Sequence, residues 1–204
     1  MGQALGRVEH RYEERDNGPE GPRTAHLGGA RRGGVVIGVR SRTAVVLVGA
    51  LVVQVAIVPH LAVGGHVVDV MLLMAVVSGL IAGPDRGLVV GFLAGLGTDL
   101  IVGTPFGLWT LVGCLMGFSV GTVYGRFVEG GRIIRMFTVM LAMATGTALF
   151  VVVGRLLGQE FLGEVDLIPI LLTVSVGGVI LAPLAIRALA WSLGLERLPW
   201  EPSR

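Results

Sequence analysis

The 204-residue chain has no lysine, a single cysteine and few charged residues. Charged residues make up 15% of the chain, where about 25% is typical of soluble domains, and 53% of its residues are hydrophobic. The lone Cys114 excludes an internal disulfide and a cysteine-based metal site. Scarce charge and a mean hydropathy of +0.80 predict an all-α protein that crosses a membrane several times.

Motifs of common enzymes and metal sites are also missing. The chain has no GxSxG, HExxH or P-loop sequence. His60 and His66 flank one connection, but two histidines without a third ligand do not predict a metal site. We therefore expect no enzymatic activity, no cofactor and no metal. The arginines, many of them next to apolar runs, favour contact with membrane lipids over binding of nucleic acid.

Six apolar runs approach the length of about 20 residues that a helix needs to cross the hydrocarbon core of a bilayer. They cover residues 43–63, 66–83, 87–102, 105–124, 136–157 and 167–190. The polar, arginine-rich residues 1–40 predict a disordered cytoplasmic arm, residues 41–190 a six-helix bundle, and residues 191–204 a short cytoplasmic tail. Only residues 83–86 separate the second run from the third, which predicts a tight hairpin.

Arginine is concentrated in every second connection between these runs. The basic connections contain Arg40, Arg42, Arg86, Arg126, Arg132, Arg135 and Arg187. The connections between them lack arginine or are acidic, apart from Arg155 at the end of the fifth run. Because basic connections stay on the cytoplasmic side, the pattern predicts that both termini face the cytoplasm.

Two neighbouring runs have glycine at every fourth position. These glycines are Gly87, Gly91 and Gly95 in the third run and Gly113, Gly117 and Gly121 in the fourth, with Gly125 directly after it. Small residues at this spacing allow another helix to approach closely. We interpret them as contacts within the bundle, with dimerisation or binding of a partner as the alternative.

Two carboxylates lie in this apolar part of the chain, Asp69 near the start of the second run and Asp99 near the end of the third. The predicted topology places both toward the outer face, and a charge in a membrane usually has a partner. They could cap helix ends or accept hydrogen bonds from loop amides, contact a partner helix, or relay a proton or ion. A turn at Pro105 and Gly107 follows Asp99, and Pro105 suits the first turn of a new helix.

The segment 69–125, and above all GLVVGFLAGLGTDLIVGTPFGLWTLVGCLMGFSVG, resembles the MreD family of rod shape-determining proteins. In that family a glycine-bearing helix ends in Gly-x-x-x-Asp-Leu, and a short turn and a Gly-Leu step follow. Gly95–Leu100 and Gly107-Leu108 carry this match. Asp69 takes the position of an earlier family aspartate, with Val68 where the family often has proline.

The resemblance implies a non-enzymatic subunit of the elongation complex in the bacterial inner membrane, which helps to maintain cell shape by organising peptidoglycan synthesis. Its expected partners are MreC and, through MreC, MreB and the RodA–transpeptidase synthase. The family is also similar in fold to the substrate-binding subunits of energy-coupling-factor vitamin transporters, which supplies an alternative function. The scaffold is favoured because the runs lack a polar cluster for a vitamin.

Overall fold

A computed structural model describes residues 30–61, 67–103, 105–127, 131–158 and 167–195, which are mostly helical and contain no strand. The helices are α1 (Ala30–Ala56), α2 (Val70–Ala82), α3 (Pro84–Asp99), α4 (Leu108–Phe127), α5 (Arg132–Leu156) and α6 (Leu167–Ser192). A short 3-10 helix (Val58–Leu61) follows α1. The prediction of an all-α protein is confirmed for these residues.

Four of the helices, α1, α4, α5 and α6, are long and apolar enough to cross a membrane. The 13 residues of α2 are apolar but span only about 20 Å at 1.5 Å per residue. The 16 residues of α3 begin with the polar sequence Pro-Asp-Arg, which lowers the hydropathy of that helix. The described residues thus contain four candidate membrane spans, and the count of six stays a prediction.

The short helix α2 lies at the centre of the bundle. All of its residues from Val70 to Ile81 are buried, and it packs against each of the other five α-helices. Its sequence, VMLLMAVVSGLIA, is apolar on every side, as a helix surrounded by other helices requires. Within the predicted run 66–83, α2 is therefore a buried core helix with little surface left for lipid.

Helix α1 differs from the predicted first run at both ends. It begins at Ala30, so residues 30–40 of the predicted disordered arm are helical, and residues 1–29 lie outside the described part. Once an apolar run has nucleated a helix, each added residue gains a hydrogen bond at little further cost, which favours this extension. The helix ends at Ala56, before Pro59, whose ring excludes the helical hydrogen bond to the preceding turn.

The connection between α2 and α3 is Gly83 alone, which corrects the predicted connection 83–86. Its φ of +84° lies in the region that favours glycine. Pro84 then occupies the start of α3, where its missing N–H leaves no hydrogen bond unmade. The two helices consequently lie side by side from the first turn of α3.

The helices alternate in direction, so the bundle has two ends. We call the one that contains Asp69 and Asp99 the aspartate end. The other, which contains Arg132 and Arg187, is the arginine end. Which end faces the cytoplasm stays a prediction from the arginine pattern.

The outer surface of the long helices is apolar. Exposed side chains include Val45, Val48, Leu111, Phe118, Ile133, Phe137, Leu141, Ile180 and Leu184. So much exposed apolar surface is unusual for a protein in water and is what contact with lipid requires. Length, composition and surface together are those of a membrane protein.

Candidate functional site

Asp99, the last residue of α3, binds the first turn of α4. Its Oδ2 accepts hydrogen bonds from the Gly107 N–H at 3.1 Å and the Thr110 N–H at 2.9 Å, and its Oδ1 accepts one from the Trp109 N–H at 3.0 Å. The Thr110 hydroxyl also donates to Oδ2, at 2.6 Å. The first amides of a helix have no acceptor within the helix, and its dipole favours a negative charge there. Asp99 therefore caps a helix other than its own.

Gly107 explains why this cap comes from a distant residue. Gly107 immediately precedes α4, at the position where Ser, Thr, Asp or Asn normally caps a helix with its side chain. Because glycine has no side chain, it cannot provide this cap. Its φ of +96° favours glycine and interrupts the helical geometry. The fourth helix therefore begins at Leu108 and not at the predicted Pro105, which lies in the turn before it.

Asp69 has a similar role at the start of α2. Its Oδ1 accepts a hydrogen bond from the Leu72 N–H at 2.8 Å, which makes Asp69 the N-cap of that helix. The Val70 N–H donates to Oε1 of Gln54 on α1, at 2.7 Å. Both aspartates thus bind backbone amides, which is the arrangement that the capping interpretation requires.

Gln54 was missed at the sequence level, although a signal existed. It is the single amide side chain in the apolar run of α1, and its acceptor joins α1 to the start of the central helix. A polar side chain among apolar neighbours usually has such a partner, because an unpaired polar group in that environment is costly.

Replacement of Gln54 by leucine is expected to destabilise the bundle by about 1–2 kcal/mol, because the Val70 N–H loses its acceptor. Gln54→Met keeps an unbranched side chain of similar length without the acceptor and should lose as much stability as Gln54→Leu. Thermal unfolding of the protein in detergent, followed with a thiol-reactive dye at Cys114, measures the difference. Equal midpoints for wild type and Gln54→Leu would mean that the bond contributes nothing to stability.

The glycines of α3 and α4 face each other in the closest helix contact of the bundle. A Cβ added to Gly91 would overlap the Gly113 carbonyl group, with its carbonyl carbon only 2.6 Å away. A Cβ added to Gly87 would overlap the carbonyl of Gly117, and each partner glycine is blocked in return. Only hydrogen fits at these positions, so the two backbones touch directly.

The contact also extends to α2 through Gly79, which was missed at the sequence level. A Cβ there would overlap the Gly117 carbonyl and lie 3.0 Å from the Gly121 nitrogen. The signal was present, because the four-residue step through Gly87 extends backward through Gly83 to Gly79. At the other end of the ladder, Gly125 has no atom within 4 Å of an added Cβ and takes no part in the contact.

Gly95 and Gly121 lie at the two ends of this close helix contact. A Cβ on Gly95 would overlap the backbone of Trp109 and Thr110, beside the Asp99 cap. A Cβ on Gly121 would lie 2.5 Å from the nitrogen of Pro84, at the turn between α2 and α3. The close contact therefore extends from the turn between α3 and α4 to the turn between α2 and α3.

A cavity of about 350 Å³ lies at the aspartate end, between the helix ends. Its walls are mostly apolar, and its polar lining residues are Gln54, Asp69, Thr98, Trp109 and Thr147. The Trp109 ring stacks on Phe150 with the centroids 4.0 Å apart. Its Nε1–H is buried and has no hydrogen-bond partner in the described structure. Trp109 thus brings a buried, unpaired hydrogen-bond donor to the wall of the cavity.

The histidines do not add to this site. His60 lies exposed in the 3-10 helix, whereas His66 lies outside the described residues, as does Thr104 of the turn before α4. Within the described ranges, no group of three or more His, Cys, Asp or Glu side chains is placed to hold a metal ion.

The candidate site thus comprises the two capped helix starts, the glycine contact and the cavity beside them. Its chemistry is that of buried hydrogen bonds and close backbone packing. Comparisons of the chain with protein-family models, with curated proteins and with solved structures found no match.

Proposed function

We propose that this chain is a non-enzymatic membrane scaffold of the rod or elongation complex, which helps to maintain cell shape by organising peptidoglycan synthesis. The proposal rests on one observation, that the residues of the MreD-like motif form a single structural unit. Gly95 packs on the first turn of α4, Asp99 caps that turn, and Gly107 leaves the cap to Asp99. A motif whose members depend on one another in this way is a stronger resemblance than shared apolar composition.

The unit formed by α3 and α4 suits a scaffold because its backbone is held on both sides of the turn. A surface that is already ordered loses little conformational entropy when a partner binds. The ladder glycines from Gly87 to Gly121 are enclosed by α2, α3 and α4, so a partner would contact other residues of these helices.

The exposed faces of α3 and α4 are the surfaces left for such a partner. They carry Leu88, Val89, Phe92 and Leu93 on α3, and Leu111, Leu115 and Phe118 on α4. Phe92 and Phe118 are 46% and 43% exposed, and buried aromatic side chains often dominate the energy of an interface. We propose that MreC binds here in the bacterial inner membrane and links the protein to MreB and the RodA–transpeptidase synthase.

The double variant Phe92→Ala and Phe118→Ala should reduce co-purification of MreC by about tenfold or more, since loss of an interface aromatic commonly costs over 1 kcal/mol. The matched control is Phe137→Ala on α5, where the ring is 59% exposed to the surroundings. This control should bind MreC like the wild type. Equal binding by the double variant and the control, with both correctly inserted, would exclude this surface.

A second candidate function, substrate binding for an energy-coupling-factor transporter, is favoured by the cavity at the aspartate end. Its volume of about 350 Å³ lies within the range of ligand pockets, about 300–1,000 Å³. Its mostly apolar walls suit a ligand with few polar groups. Native mass spectrometry of the purified protein distinguishes the two functions: a stoichiometric vitamin would replace the scaffold proposal, and a vitamin-free protein that binds MreC would support it.

A further inference from the structure

A second cavity, of about 200 Å³, lies at the arginine end of the bundle. Arg132 and Arg135 of α5 and Arg187 of α6 line it, above apolar side chains that include Leu80, Val139 and Ala182. No Asp or Glu is among the lining residues that the structure describes. The cavity therefore brings Arg132 of α5 and Arg187 of α6 together over an apolar floor.

The chemistry of this lining is that of a phosphate site. A guanidinium group presents N–H donors in a planar fork that matches two phosphate oxygens. The start of α5 adds to it, because Gly131 provides no side-chain cap for the first amides of that helix. The amides of a first helical turn and the helix dipole together favour an anion at this position. Arg132, the first residue of α5, lines the cavity beside them.

The residues around the cavity favour a phosphate that is part of a lipid headgroup over a free phosphate ion. Ile133 and Leu184, next to the cavity residues on α5 and α6, are 83% and 68% exposed and apolar. At the same end, the Arg42 guanidinium lies 5.5 Å from the centre of the exposed Trp191 ring. Arginine and tryptophan are typical of the depth at which lipid headgroups lie. A bound lipid would place its phosphate among the arginines and its acyl chains along the apolar helix surfaces.

We propose that this cavity binds the phosphate group of an anionic phospholipid. The inference depends on the membrane location of the bundle and is independent of the proposed scaffold function. The proposal assigns lipid binding to the arginines that line the cavity. Arg86, which is exposed at the same end of the bundle but does not line the cavity, has no part in it.

Native mass spectrometry of the full-length protein in detergent, titrated with phosphatidylglycerol or phosphatidylcholine, tests the proposal. Wild type should bind phosphatidylglycerol in preference to phosphatidylcholine. The double variant Arg132→Gln and Arg187→Gln should lose about 30-fold in affinity for phosphatidylglycerol, since each arginine near an anionic lipid contributes a factor of roughly five. Arg86→Gln, which removes the same charge outside the cavity, should retain the wild-type preference.

Two results would overturn the proposal. One is an equal loss of affinity in Arg86→Gln and in the double variant, because general surface charge would then explain the binding. The other is displacement of phosphatidylglycerol by millimolar inorganic phosphate, which would identify a site for free phosphate. Resistance to inorganic phosphate, together with a loss confined to the cavity variant, would support a lipid site.

Discussion

Asp99→Ala should destabilise the protein by about 4 kcal/mol, because three backbone amides and one hydroxyl lose their acceptor and each unpaired buried group costs about 1–3 kcal/mol. The lower part of that range applies, since water can reach the partly exposed Thr110. For a chain of this length the loss corresponds to a fall in melting temperature of roughly 10 °C. The first turn of α4 should fray, because the side chain that caps it is gone.

Asp99→Asn separates the geometry of this cap from its charge. The amide keeps one acceptor oxygen in place of Oδ1 or Oδ2, but its NH₂ group faces amides that need an acceptor. We expect a loss of stability between those of wild type and Asp99→Ala. The measurement is the thermal unfolding midpoint in detergent, with dye labelling of Cys114 in α4 as the readout.

Asp85→Asn is the matched control for the charge. Asp85 is exposed in the first turn of α3, where a carboxylate contributes at most about 1 kcal/mol through the helix dipole. If Asp99→Ala unfolds at the same temperature as this control, the four hydrogen bonds do not stabilise the turn and the motif needs another explanation.

The coarse fold could be predicted because apolar length and charge are local properties of the chain. The long helices α1, α4, α5 and α6 all lie within or across runs that hydropathy identifies. The position of α2 could not be predicted in this way. A helix surrounded by lipid and a helix surrounded by protein are both apolar on every side, so only packing distinguishes the run 66–83 as the core of the bundle.

The site was predictable in its residues but not in their partners. The cost of a buried charge indicated that Asp99 needs a partner, yet the choice of Gly107, Trp109 and Thr110 depends on the path of a turn. Periodicity carries no information about that path, which Gly107 sets through its positive φ.

Long-range contacts escaped sequence reasoning for a related reason. Gln54 meets Val70 only because α1 and α2 pack together, and Trp109 meets Phe150 only because α4 lies beside α5. Gln54 is the single amide and Trp109 the single tryptophan in its own run, which marks both as candidates for a contact. The identity of the contact requires the relative positions of the helices.

Gly117→Ala should destabilise the protein by about 2–3 kcal/mol, because an added methyl group must push two helix backbones apart. Gly117 lies where α4 meets both Gly87 of α3 and Ala75 of α2, and a Cβ there would be 2.7 Å from the Gly87 carbonyl carbon. Backbone atoms cannot move aside as a flexible side chain can. Unfolding of the detergent-solubilised protein should therefore begin at a lower temperature, with earlier labelling of Cys114.

Gly125→Ala is the matched control, since it lies two ladder steps further along the same helix with open space around its added Cβ. At Gly125 the added methyl group meets no other atom, so the substitution adds only the higher helix propensity of alanine, worth up to about 1 kcal/mol of stability. The two variants should thus shift the melting temperature in opposite directions.

Gly97→Ala is a second control, on α3. Its Cβ would meet only side-chain atoms at 3.5 Å or more, so this variant should also be at least as stable as the wild type. A Gly117→Ala protein as stable as Gly125→Ala would show that the close approach of α3 and α4 is not needed for the fold.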